Sequence, residues 1–336
     1  MQESKVQSVN QKKDKKGIVP LIAVVMILAG ICVFFNRGVI FDAFSSMFYK
    51  PSDRVMEVIN SIGLTKHGKL IFGASTPSLD EKDEFNEHCK SHDQDISVLG
   101  CYTKNKIYLY NINSEELNGV VESTAAHELL HAVWNRMDTS ERGRIGKLLN
   151  DVYNDSRYHE LLAEDLETYP ELERVEELHS RVGTEIAELP EELEKHYAKY
   201  FADQDKVVDY YDSYIEPFRV LSDEIDELSA RLEDLNTEIE EKTANYYKKA
   251  EELSSKIDEF NRCANTAGCF VLDSTFYATR NELLNEQSAM EDTFNEINGL
   301  IEEYNNLVAE YNDNVLRGEN LERIINSNAE VENTIK

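Results

Sequence analysis

The chain has 336 residues, a net charge of −30 and five cysteines. A chain of this length can bury a substantial core, which excludes the small scaffolds that need disulfides or metals in order to fold. Its acidic balance would be repelled by phosphate backbones, which excludes nucleic acid as a partner. We therefore expect a globular protein with its own core and room for a second domain.

The N-terminus combines a basic leader with an apolar run. Residues 1–17 contain five lysines, and Ile18–Phe35 reads IVPLIAVVMILAGICVFF without a charge. At about 1.5 Å per residue, this run matches the hydrocarbon core of a bilayer. We predict a cytoplasmic tail over 1–17 and a transmembrane helix over 18–36, so that a single-pass protein of the cell membrane exposes the rest of the chain outside the cell. A cleaved secretory signal is the competing interpretation, which Ile31 disfavours because a small residue is expected before a cleavage site.

Four of the cysteines form two pairs that are close in sequence. Cys89 is near Cys101, and Cys263 is near Cys269. Such pairs predict two disulfide bonds in an oxidising compartment, the alternative being four reduced thiols in a cytosolic protein. The chain has no C-x-x-C spacing, so these cysteines do not indicate a metal site.

Residues 38–216 are predicted to form one α+β domain that is mostly helical. An amphipathic stretch covers about 54–62, and two strand-like runs, Lys69–Gly73 (KLIFG) and Lys106–Ile112 (KIYLYNI), predict a small sheet. A helical region follows from about Val120 to Phe201, with a capping box in Asp138–Glu141.

The last third of the chain has a heptad-like pattern. Apolar residues recur at steps of three and four from Leu221 to Phe260 and again from Leu283 to Val315. Two such arms joined by a short loop must lie antiparallel. We predict a long antiparallel coiled-coil hairpin over 217–318 with a disulfide-tied tip, followed by a tail over 319–336. The hairpin is either a spacer or an arm that binds a protein partner.

The segment Ser123–Trp134, STAAHELLHAVW, carries the strongest chemical motif. It has no internal Pro or Gly and is predicted to be helical. Residues four apart lie on one helix face, so His127 and His131 can bind a single ion. Glu128 points beside that ion and is predicted to be the general base. Zinc (Zn²⁺) is the expected cofactor, because two imidazoles and a carboxylate leave one tetrahedral position open.

This helix resembles the active-site helix of the zincin metallopeptidases. In that family the HExxH helix follows a strand that pairs with extended substrate, and Lys106–Ile112 occupies the corresponding place in this sequence. The resemblance covers about residues 65–200 and implies a zincin-like catalytic domain that cleaves internal peptide bonds. The spacing H-E-x-x-H-x-x-G-x-x-H is absent, which excludes the metzincin arrangement and leaves the gluzincin branch.

Gluzincins take a third metal ligand from a glutamate on a second helix, often in the form E-x-x-A. The resemblance implies Glu177 as this ligand, with Ser180 as the small residue that lets the helices approach. Glu176 and Glu185 are alternatives. Arg181 departs from the family, which usually has an acid at that position.

Other residues near the motif have two interpretations each. His179, His196 and Tyr197 are either stabilisers of an oxyanion or structural side chains. Trp134 is expected to pack in the core rather than to contact substrate.

These patterns together predict a membrane-anchored zinc peptidase that cleaves extracellular proteins or peptides. The alternative comes from another class of protein. It is a cell-surface adhesion or scaffold protein whose hairpin binds a partner and whose HExxH site is catalytically silent.

Overall fold

A computed structural model describes residues 37–89, 98–166 and 169–327. These residues are mostly helical and include a small three-stranded sheet, as the sequence predicts. The predicted cytoplasmic tail over 1–17 and transmembrane helix over 18–36 lie outside the described residues. Within the described ranges, no helix has both the length and the apolar character needed to cross a membrane.

The described chain divides into two compact units. Ile215–Ile325 forms one of them, the hairpin unit, and the described residues on either side of it form the other, the mixed unit. The mixed unit contains the sheet and a series of helices. In chain order these helices are α1 (Arg37–Phe48), α2 (Asp53–Ser61), α3 (Lys66–Ala74), α4 (Lys82–His88), α5 (Val120–Arg136), α6 (Thr139–Tyr153), α7 (His159–Leu166), α8 (Glu171–Glu185) and α9 (Glu191–Tyr197).

Local sequence signals account for several helix starts. Ser52 caps α2, which lies where the amphipathic stretch is predicted, and its side chain accepts a hydrogen bond from the Val55 N–H. Asp138 caps α6 and accepts from the Glu141 N–H at 2.9 Å. The predicted capping residue is therefore confirmed at Asp138.

The sheet consists of β1 (Ser78–Asp80), β2 (Gly100–Thr103) and β3 (Lys106–Tyr110) in the order β1-β3-β2. Strand β1 is parallel to β3, and β2 is antiparallel to β3. Lys104 and Asn105 connect β2 to β3 with φ angles of +52° and +63°, which is typical of the tight turns that join twisted antiparallel strands.

The predicted strand over Lys69–Gly73 is wrong, because these residues belong to helix α3. Thr65 starts that helix by accepting the Gly68 N–H on its side chain. A short run that is apolar on all sides is compatible with a buried helix as well as with a buried strand. Ile71 and Phe72 are buried in the core, which either structure would allow. The N-cap at Thr65 favours the helix.

The strand predicted over Lys106–Ile112 exists as β3, but it is the central strand. Since β1 and β2 pair with its two sides, its edges are already occupied. The expectation that this strand pairs with an extended substrate is therefore wrong. Strand β2 is the edge strand on the side of α5.

Two long helices follow, α10 (Asp205–Ala264) and α11 (Asp273–Ile325). Residues 205–214 of α10 belong to the mixed unit, and the rest of α10 together with α11 forms the hairpin unit. Two ion pairs show the relative direction of the helices. Arg231 of α10 contacts Glu303 of α11, and Lys256, later in α10, contacts Glu286, which is earlier in α11. The arms are therefore antiparallel. Their seam buries Leu228, Leu235 and Leu307.

Both helices extend beyond the predicted limits of 217 and 318. Helix α10 begins at Asp205, where Val207 and Val208 are buried, and continues through Pro217. Both predicted disulfides are present, Cys89 with Cys101 and Cys263 with Cys269.

Candidate metal centre

Helix α5 carries the HExxH motif and is buried along most of its length. It starts after Gly119, whose φ is +95°. A Cβ at this glycine would lie 2.6 Å from the backbone oxygen of Tyr210, a distance that side-chain-bearing residues do not tolerate. The glycine therefore permits both the left-handed turn and the close approach of α10 at the start of α5.

Three side chains converge on one point beside this helix. The Nε2 atoms of His127 and His131 lie 3.2 Å apart. Glu177 of α8 places its Oε1 3.4 Å from Nε2 of His127 and its Oε2 3.3 Å from Nε2 of His131. Among the described residues these three form a group whose ligand atoms all lie within 4.8 Å of one another and that can hold a metal ion.

Helix α8 reaches this position because it approaches α5 closely. A Cβ at Gly183 would lie 2.5 Å from Leu130 of α5 and 2.5 Å from the Tyr197 ring, so a larger residue would have to displace one or both of these side chains. Ser180, the small residue implied by the zincin resemblance, is fully buried. The sequence interpretation missed Gly183, although a glycine six residues after a candidate ligand on the same helix is a usable signal.

The surroundings of the group are strongly negative. Burial alone would lower the pKa of His131, yet hydrogen bonds to Glu176 and Glu177 raise it to about 10. Burial would raise the pKa of Glu177, but the charges of the two histidines and their hydrogen bonds hold it well below its usual range. Each partner thus stabilises the charged form of the other, and a cation in the same place is stabilised by the same carboxylates.

The two alternative ligands have other partners. Glu176 contacts Nδ1 of His131 at 3.2 Å, the ring nitrogen that faces away from the group. The Glu185 side chain is 7% exposed and accepts hydrogen bonds from Arg181 at 3.0 and 3.1 Å. Arg181, which departs from the family pattern, also donates to the backbone oxygen of Leu162. The structure therefore brings Glu177, and neither alternative, to the point where the histidines meet.

Glu128 lies beside the group and is only 5% exposed. Its Oε2 is buried and has no hydrogen-bond partner among the described residues. Burial raises the pKa of Glu128, while the charges of His131 and His127 and a hydrogen bond from the Tyr102 N–H lower it. A carboxyl with a raised pKa and a free oxygen is suited to accepting and returning a proton.

Strand β2 covers Glu128. A Cβ at Gly100 would lie 2.6 Å from Cγ2 of Thr124 and 2.9 Å from Cγ of Glu128, so only glycine lets the strand come this close. At the other end of the contact, Tyr102 accepts a hydrogen bond on its hydroxyl from Arg136 at 3.2 Å. The sequence analysis missed this strand, because it lies more than twenty residues before the motif and is four residues long.

The three residues with two interpretations, His179, His196 and Tyr197, lie in the core. Nε2 of His179 lies 2.9 Å from Nε2 of His196, and both rings are buried. Tyr197 donates its hydroxyl to the backbone oxygen of His179. Trp134 is buried and packs against the His179 ring. These contacts favour the structural interpretation of all four side chains.

The centre therefore combines two imidazole nitrogens, one carboxylate, an adjacent carboxyl with a free oxygen, and a sheet edge. Comparisons with known proteins add nothing to this geometry: the chain matches no protein family, no curated protein and no solved structure.

Proposed function

We propose that this chain is a zinc-dependent peptidase of the cell surface, held in the membrane by its N-terminal segment. The observation that carries the proposal is the convergence of His127, His131 and Glu177 next to Glu128. Ligand atoms about 2.0 to 2.1 Å from a tetrahedral ion lie roughly 3.3 Å apart. The separation of 3.2 Å between the two Nε2 atoms fits that arrangement, and Glu177 directs one carboxylate oxygen to each imidazole, at 3.4 and 3.3 Å.

Zinc is favoured by the donor set. Two imidazoles and one carboxylate are a frequent ligand set of catalytic zinc, and they leave a fourth position open. When bound, the ion would act as a Lewis acid that polarises a carbonyl oxygen and lowers the pKa of water at that position. Glu176 would hold His131 in the orientation needed for binding, because its carboxylate contacts the opposite ring nitrogen.

Glu128 is the proposed general base. Its unpartnered Oε2 is available to accept a proton from water and return it to the leaving amine of a cleaved peptide bond. Burial raises the pKa of Glu128 above its usual range, which favours its taking up a proton. The hydrogen bond from the Tyr102 N–H keeps the carboxyl in place.

Strand β2 is the proposed platform for the substrate. Among the described strands it pairs only with β3, so its other side is an edge next to Glu128. An extended peptide can add to such an edge by main-chain hydrogen bonds. The Cys89–Cys101 disulfide joins this strand to the residue after α4.

Zinc-loaded full-length protein and a library of internally quenched peptides test the proposal. We expect cleavage that a chelator abolishes and zinc restores. The variant Glu128→Gln should keep its zinc and lose about 10²- to 10⁴-fold in turnover. Glu122→Gln, on the same helix, is the matched control and should cleave like the parent. No cleavage by the zinc-loaded parent, or full activity of Glu128→Gln, would contradict the proposal.

A second proposal is favoured by the tip of the hairpin unit. Val271 and Leu272 are 86% and 60% exposed there, next to the Cys263–Cys269 disulfide. Exposed apolar residues on a tied loop suit a protein partner, as in an adhesion or scaffold protein. Such a protein would keep its partner binding in Glu128→Gln, whereas a peptidase would lose turnover.

A further inference from the structure

Helix α1 (Arg37–Phe48) has its polar and apolar faces reversed. Its polar residues Asp42, Ser45 and Ser46, followed by Tyr49, recur at helical spacing on one face, and this face lies against the protein. The outward face consists of large apolar side chains that are 48% to 75% exposed, namely Val39, Ile40, Phe41, Phe44, Met47 and Phe48. A surface helix of a water-soluble protein shows the opposite arrangement.

The inward face is fixed to the mixed unit by specific contacts. Asp42 accepts two hydrogen bonds from Arg136 at 2.9 Å each, and both side chains are mostly buried. Ser45 donates to the backbone oxygen of Ala74 at 3.0 Å. Ser46 packs on Gly73, and a Cβ at Gly73 would lie 2.7 Å from Oγ of Ser46. Helix α1 is therefore docked in a defined rotation, and its apolar face cannot turn inward.

The position of α1 in the chain indicates what covers this face. It starts two residues after Phe35, the end of the uncharged run Ile18–Phe35. Two residues span at most about 7 Å. If that run crosses a bilayer, α1 begins at the membrane surface, where Phe side chains are favoured on the apolar face of an interfacial helix.

The charges agree with a lipid surface. Although the whole chain carries −30, the segment 37–50 contains two basic residues, Arg37 and Lys50, and a single carboxylate, Asp42. That carboxylate faces inward to Arg136. The outward face of α1 thus has no negative charge to oppose an anionic membrane surface.

We propose that α1 is an interfacial membrane helix whose outward face lies in the bilayer surface and docks the mixed unit there. Arg136, which holds Asp42, is five residues after His131 on α5, about 7.5 Å along the helix axis. It also contacts Tyr102 of the edge strand β2. The candidate metal centre therefore lies close to the membrane. Resting on the proposed peptidase function, the substrates are chains tethered to the same membrane.

The interface is tested with full-length protein in vesicles of phosphatidylcholine and phosphatidylglycerol, with and without brominated acyl chains. Phe44→Trp adds a fluorophore to the outward face, Leu161→Trp adds one to an exposed apolar site of α7, and the buried Trp134 is a constant background. We expect the added emission of Phe44→Trp to be blue-shifted and to be mostly lost with brominated lipid, while that of Leu161→Trp persists.

Two results would contradict the proposal that α1 lies in the membrane surface. Emission at the wavelength of tryptophan in water would show an uncovered face. Blue-shifted emission that brominated lipid does not quench would show that protein, such as a second copy of the chain, covers it. Neither result depends on catalysis, so the interface is decided even if the chain cleaves no peptide.

The substrate class is tested by presenting one cleavable peptide either free or attached to a lipid anchor in the same vesicles. The parent should cleave the anchored form faster. The triple variant Phe41→Ser, Phe44→Ser, Phe48→Ser should lose this preference and keep the parent's rate on the free peptide. An unchanged preference in the triple variant would overturn the assignment of tethered substrates, and the quenching result would still stand.

Discussion

The two units of the described chain differ in where their charged side chains lie. The mixed unit buries Glu128, Glu177 and Arg181, whereas the ion pairs of the hairpin unit, such as Lys256 with Glu286, lie at its surface. Burying a charge costs several kcal/mol unless it is well paired. Exposed pairs contribute little to stability. Charge in the hairpin unit therefore contributes to solubility and to the alignment of the two arms, whereas buried charge in the mixed unit indicates where chemistry is expected.

Substitution of Gly100 should disturb the contact between β2 and the candidate base. Gly100→Ala places a methyl group 2.6 Å from Thr124 and 2.9 Å from Glu128, so the strand or the carboxyl must move. A displacement of about 1 Å in an active site can cost roughly 10²-fold. We expect such a loss in kcat/KM for peptide cleavage with zinc content unchanged. Gly143→Ala, where the new methyl meets nothing within 4 Å, is the control, and equal activity in the two variants would break the account.

The same substitution should have opposite effects on stability in the two units. Gly183→Ala creates contacts of 2.5 Å with Leu130 and Tyr197, and overpacking of this kind costs about 1 to 3 kcal/mol. In α11, Gly299→Ala meets nothing within 4 Å and should gain about 1 kcal/mol from helix propensity. Urea unfolding followed by circular dichroism measures both. A loss at both positions would remove the contrast between the units.

Acid should weaken the mixed unit through its buried histidine pair. Burial lowers the pKa of His196 from 6.5 to about 3. In the pH window between these two values, His196 binds a proton in the unfolded chain but not in the folded chain. Stability from this group is present above pH 6.5 and falls by up to about 1.4 kcal/mol per pH unit below it.

The variant His196→Gln isolates this effect. The parent should be the more stable chain at neutral pH, because the variant disturbs the 2.9 Å contact between the two histidines. The advantage of the parent should shrink as pH falls through the window. Unfolding free energies at neutral pH and inside the window test this, and a constant difference would contradict the assignment.

The smallest expected effect is at the surface of the hairpin unit. Lys256→Gln removes the exposed pair with Glu286, and we expect a shift of the unfolding midpoint well below that of Gly183→Ala. Lys248→Gln on the same helix is the control for loss of a charge. A shift as large as that of Gly183→Ala would show that the hairpin depends on its ion pairs.

Sequence patterns predict a feature correctly where the residues that form it are neighbours on one helix. The spacing of His127 and His131 places both on one face of α5, and the recurring leucines predict the seam that buries Leu228 and Leu235. In both cases the relevant neighbours are three or four residues apart. No tertiary contact is needed to predict them.

The patterns were insufficient where distant segments meet. The sequence alone does not distinguish Glu176, Glu177 and Glu185, which lie in the same acidic helix. The folded structure determines which side chain each of them contacts. The contact of Gly100 with Glu128 depends on the fold of an edge strand, and the reversed faces of α1 depend on Arg136, far along the chain. Each of these contacts is created by tertiary structure.

Metal analysis of the full-length chain shows whether His127, His131 and Glu177 bind zinc. We predict about one zinc per chain in the parent and in the control Glu173→Ala, whose side chain is exposed on the same helix. Glu177→Ala should lose the metal, because it removes the carboxylate that faces both histidines. Absence of zinc from the metal-replete parent, or full zinc content in Glu177→Ala, would contradict the account.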